Sequence, residues 1–156
     1  MTEAKSPLPV KLFTGAIFSG EGVLFKAKEK LEKKFGCLDF QSPVMPFNCT
    51  QYYKKEMGAN LKRQFFSFEK LIKPQQLPEI KLYTNRLEKS LSREFYPARH
   101  AGPLRSINLD PGYICGGKLV LATCKDYSHR IYLAKGIYAE VTLYFRDETF
   151  SPWPWT

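Results

Sequence analysis

The chain of 156 residues is about one domain long, and its 44% hydrophobic residues, 12 Phe and 9 Tyr among them, suffice for a core and exclude disorder throughout. No stretch approaches the roughly 18–20 apolar residues of a membrane helix, and the opening MTEAKSPLPVKLF lacks the basic flank, apolar run and small-residue cleavage site of a secretion signal. A cytoplasmic protein without a membrane partner is therefore expected, and 24 Lys and Arg against 15 Asp and Glu, a net +9, favour an anionic partner.

Taken in order, residues 1–8 hold Pro7 and read as loose, and VKLFTGAIF follows as a strand rich in β-forming residues. EGVLFKAKEKLEKKFG places Leu24, Ala27, Leu31 and Phe35 three and four apart, with lysines opposite and Gly36 as a stop, which predicts an amphipathic helix. LDFQSPVMPF reads as extended, with Pro43 and Pro46 confining it to an edge. NCTQYYKKEMG is a loop or a single turn. LKRQFFSFEKLI is a strand in which Leu61, Phe66, Phe68 and Leu71 compete for the buried side, while Phe65 and Phe66 must face opposite ways.

Pro74 and Pro78 introduce a second helix, LPEIKLYTNRLEKSL, with Ile80, Tyr83, Leu87 and Leu91 on one face. EFYPARHAGPLR is a loop and SINLD a strand. In DPGYICGGKLVLATC, Asp110 and Pro111 resemble a helix cap and first turn, whereas Gly116 and Gly117 weaken a helix and KLVLATC reads equally as a strand; of the two, a short helix is expected within 112–124. The tail alternates strongly, with turn signals at Lys135-Gly136 and Asp147-Glu148, and predicts antiparallel hairpins. The sum is one α+β domain over residues 1–156: a ferredoxin-like split βαβ core with an added C-terminal antiparallel hairpin.

Cys37, Cys49, Cys115 and Cys124 form no CxxC pair and read as free thiols, and His100 and His129 stand at no recognised zinc spacing from them, so no metal site is expected. Gly15 to Gly20 has the glycine spacing of a phosphate loop, but Glu21 and Gly22 occupy the places of its Lys and Ser or Thr. The five lysines from Lys26 to Lys34 are interleaved with Glu29 and Glu32, with no arginine and no aromatic residue among them, the pattern of a solvated helix face.

The segments PVKLF, YYKKEMG, LKRQFFSFEKLI, INLDPGY, KLVLATCKD and HRIYL with GIYAEVTL, in that order, resemble a prokaryotic family known only as domain of unknown function 4416. The resemblance implies no reaction and no cofactor. It matches Asn108, Asp110, Tyr113, Lys125, His129, Arg130 and Glu140 to a shared pattern. Where similar members read like FDFTDYYE, this chain reads FNCTQYYK, with Asn48, Gln51 and Lys54 in the place of carboxylates.

The candidate site is Lys125, His129 and Arg130 with Asp110 and Glu140, since a histidine moves protons near neutral pH and an arginine offers a planar fork to carboxylate or phosphate. Asn108, Tyr113 and Tyr53 are expected to contribute to binding. The alternative is structural: Asp110 capping a helix and Arg130 paired with Glu140 across strands. Three functions follow: binding of a small anionic ligand, nucleotide or other phosphorylated compound; catalysis with His129 as general acid or base, Asp110 as a catalytic carboxylate orienting it and Arg130 or Lys125 stabilising charge; and RNA or ribosome association through Lys26–Lys34 and Arg99–Arg105.

Overall fold

The computed structural model describes residues 2–48, 53–96 and 105–156; Cys49, Tyr52, Arg99 and His100 fall outside these. The first strand, β1 (Lys11–Phe18), turns directly into helix α1 (Glu21–Phe35), which buries Val23, Leu24, Ala27 and Leu31. Gly36 ends the helix at φ 100°, a conformation costly for any side chain, with its N–H bonded to Glu32 O. The short strands β2 (Leu38–Gln41) and β3 (Met45–Pro46) both pair with β4 (Lys62–Phe68), and the single-turn helix α2 (Lys54–Met57) falls between β3 and β4 in the chain. After a 3₁₀ turn at Pro74–Gln76 comes α3 (Leu77–Phe95).

The remaining chain is strand: β5 (Ile107–Cys115), β6 (Lys118–Thr123), β7 (Ile131–Ala134), β8 (Ile137–Arg146) and β9 (Thr149–Pro152). The helix expected within 112–124 does not form. Ile107–Cys115 instead pairs residue for residue with β1, from Phe18↔Ile107 to Lys11↔Ile114, and Gly116-Gly117 is the turn of a β5–β6 hairpin. A strand ladder of that length outweighs a local Asp-Pro cap signal. The hairpins expected further on are present, with Lys135, Asp147 and Glu148 at positive φ beside Gly136, as two-residue turns between right-twisted strands require.

All nine strands form one sheet, ordered β2-β4-β1-β5-β6-β8-β7 with β3 added to β4 and β9 to β8, antiparallel at every pairing. Helices α1 and α3 cover one face. There Leu12, Ala16 and Phe18 of β1, Phe66 and Phe68 of β4, and Ile107 and Leu109 of β5 meet Leu24, Ala27, Leu31, Ile80, Leu87 and Leu91. Leu71, expected to compete for this core, is half exposed at 51%; Ile72 takes the place because its backbone bridges to Val10. The opposite face carries the alternate residues of the same strands, and a small cluster of Ile17, Phe47, Met57 and Leu61 closes one end of it. The fold is α+β, and no helix among the described residues is long and apolar enough to cross a membrane.

Candidate functional site

The site starts from a break in the sheet. β6 pairs with β5 only at Gly112–Cys115 and then leaves it, so the edge of β5 at Ile107–Pro111 has no strand beside it. Pro111 lies where a bond to β6 would next be donated, and proline has no N–H to donate. At Gly112, beside the split, there is no room for a side chain: a Cβ would strike the Val120 carbonyl and lie 2.7 Å from the Phe13 ring.

The orphaned edge is satisfied by side chains of α3. Glu88 Oε1 accepts the Leu109 N–H at 2.6 Å, and Lys81 Nζ donates to Leu109 O at 2.9 Å. Both side chains are almost fully buried, at 8% and 6% exposure. Lys81 passes the edge to reach Asp110 Oδ1 at 3.2 Å on the far side of the sheet. Arg105 donates from Nε to Ile107 O (3.2 Å) and from Nη2 to Glu88 Oε2 (2.7 Å) and Asn108 Oδ1, and Asn108 Nδ2 closes the ring on Asp110 Oδ2 at 2.5 Å. Burial pushes the Glu88 carboxyl up from its ordinary range, against the pull of Arg105, Lys81 and the Leu109 N–H.

Across the split stands a second cluster. Glu140 on β8 lies opposite Leu121 of β6, and its Oε2 takes both Arg130 Nε at 2.9 Å and His129 Nε2 at 3.2 Å. Arg130 Nη1 donates to Lys125 O, and its guanidinium lies 5.4 Å from the centre of the Tyr127 ring. The two clusters wall a cleft of about 430 Å³ to which Tyr53 and Glu56 from the α2 end and Asn85 from α3 also contribute. Its lining carries four cationic side chains, Lys81, Arg105, Lys125 and Arg130, against three carboxylates, Glu56, Asp110 and Glu140.

Of the expected site residues, Asn108, Asp110, Lys125, Arg130, Glu140 and Tyr53 line this cleft. His129 does not line it and touches the site through Glu140, with its ring near Tyr127 and Trp155. Tyr113 is elsewhere. Alternation along β5 turns it to the helix side, where it packs against the core and burial raises its hydroxyl. Asp110 caps no helix; it is a strand residue held by Lys81 and Asn108. Sequence patterning leaves Lys81 and Glu88 on a helix surface and offers Arg105 only as part of an RNA-binding loop, so none of the three is expected at this site. Among the described residues no group of three or more His, Cys, Asp or Glu is placed to hold a metal ion, and Cys37, Cys115 and Cys124 are free thiols.

A family model described as a domain of unknown function (DUF4416) matches residues 8–156. The chain belongs to this family. The DUF4416 pattern therefore spans both walls of the cleft, from β1 to β9. The chain matches no curated protein and no solved structure. As an arrangement the cleft offers ammonium and guanidinium donors, amide and phenol groups and carboxylate acceptors around one hollow, a set that holds a polar ligand in one orientation.

Proposed function

We propose that the β5–β6 cleft binds a small anionic ligand, nucleotide or phosphorylated metabolite, with Lys125 and Arg130 meeting its charge and Asn108 and Asp110 fixing its orientation. The observation that carries this is the convergence of four cations on one hollow whose inner wall is already tied to the backbone of β5. A wall held this way costs little to order when the ligand arrives. Isothermal titration of the full chain with inorganic phosphate, nucleoside monophosphates and sugar phosphates tests it. Saturable binding to at least one, weakened about tenfold or more (roughly 1.4 kcal/mol) by Arg130→Ala, is expected. Arg130→Ala binding as tightly as the parent would remove the site.

Ligand binding has better support than catalysis by His129, since the imidazole does not line the cleft. It also has better support than RNA association: Lys26, Lys28 and Lys30 of α1 are engaged with Glu29, Gln41 and Glu94. Three free cysteines agree with the reducing cytoplasm as the compartment. The same reading takes the first part of the sheet as a ferredoxin-like split βαβ unit, on the grounds that its order β2-β4-β1-β5 is antiparallel throughout with α1 and α3 on one face. A solved family member with another strand order would end that assignment.

A further inference from the structure

The sheet face away from the helices holds a second hollow, of about 510 Å³, within the range of about 300–1,000 Å³ usual for small-molecule sites. Its walls are Phe13, Phe65, Ile114, Leu119, Leu121 and Leu143. Gly15 of β1 lies in its floor, where a Cβ would press on the Phe65 ring at 3.0 Å.

Three charged residues line this apolar space, and two are neutralised on site. Lys11 is paired with Asp39, which also accepts from Ser67, and Asp110 is paired with Lys81. Arg63 differs. Its guanidinium lies 5.2 Å from the centre of the Phe47 ring and 5.1 Å from that of Phe65, with no carboxylate partner among the described residues. Its Nε is buried without a hydrogen-bond acceptor, one of two such side-chain atoms among the described residues. A buried guanidinium N–H without an acceptor is unfavourable, and the group that answers a planar fork with both charge and geometry is a carboxylate.

We propose that this hollow is a separate binding site for a free amphiphilic carboxylate, with its head on Arg63 and its hydrocarbon body along the apolar wall toward Leu119 and Leu143. The fit is one of charge as well as shape: a single unanswered cation in an otherwise apolar space. Nothing in it depends on the ligand of the polar cleft, although Asp110 and Leu121 border both hollows.

Decanoate and its neutral counterpart decan-1-ol, titrated below their aggregation limits into the full chain, test the proposal. Decanoate should bind one per chain and at least tenfold more tightly than the alcohol. Arg63→Met should erase that difference, Arg63→Lys should restore part of it, and Leu119→Trp, which fills the hollow away from the guanidinium, should abolish binding of both. Thermal melting checks that each variant is folded, and if Arg63→Met is not, Arg63→Lys carries the comparison. Arg130→Ala should bind decanoate as the parent does, so this site and the polar cleft stand or fall apart from each other. Equal affinity for acid and alcohol, or decanoate binding unchanged by Leu119→Trp, would overturn it. So would a ligand-free dimer that Leu119→Trp dissociates, because the face would then belong to a second copy.

Discussion

The two walls of the polar cleft are made of the same residue types and are held by opposite means. On the inner wall Glu88, Lys81 and Arg105 stand in for a missing strand, each bonded to the backbone of β5 as well as to another side chain. On the outer wall Glu140 of β8 and His129 and Arg130 of the turn leading into β7 bond mainly to one another, beside ladders that are complete without them. Charge used as backbone cannot be removed without leaving buried polar groups unsatisfied. Charge laid on a finished sheet can be, and is therefore available to a ligand.

The sharpest way to break this contrast is to delete one carboxylate from each wall. Glu88→Ala leaves the Leu109 N–H and the Arg105 guanidinium without a buried partner and should cost about 3–5 kcal/mol in denaturant unfolding. Glu140→Ala leaves Arg130 and His129, both reachable by water, and should cost about 1 kcal/mol. Equal losses would mean that both walls are structural.

A pH titration sharpens the same point. The Glu88 carboxyl is pushed up by burial, so the folded state binds its proton more tightly than the unfolded chain does. Its contribution is then complete below the ordinary glutamate range, about pH 4.3, and is lost as pH rises through the raised value. Glu21, Asp39 and Glu79 have the opposite sign, since hydrogen bonds from Lys62, Lys11 and Lys135 hold their carboxyls low. These are common to parent and variant. The difference in melting temperature between the parent and Glu88→Gln should therefore shift against the parent from acid to neutral pH, and a flat difference would refute the assignment.

The contrast also explains what the sequence could disclose. The outer wall was legible because period-two alternation and the Lys135-Gly136 turn fix β7 and β8 and with them the neighbourhood of Glu140 and Arg130. α1 and α3 were legible from their apolar spacing. The inner wall was not. Lys81 and Glu88 sit seven apart on α3 with the buried Thr84 between them, and what buries the two charges is a long-range event, the departure of β6 from β5 after Gly112. The one local sign is Pro111 inside an otherwise continuous strand, and the preceding Asp110 makes the pair resemble the start of a helix instead. Reading that proline as the end of a ladder would have placed an unpaired edge there and raised the question of what bonds to it.

The smallest expected effect concerns His129, and it separates the two functional readings of the outer wall. Its ring is about three-quarters buried and gives Nε2 to Glu140, while Glu140 keeps Arg130 as a stronger partner. His129→Gln can still donate to that carboxylate, so stability should change by less than about 0.5 kcal/mol, in the range of ordinary surface substitutions. Phosphate-compound binding in the cleft should stay within twofold of the parent, because the imidazole orients Glu140 from behind and meets no ligand. If His129→Gln instead leaves binding intact while abolishing turnover of the bound compound, the histidine reaches the ligand through a movement of the 125–130 segment. The outer wall would then be catalytic machinery rather than a binding surface.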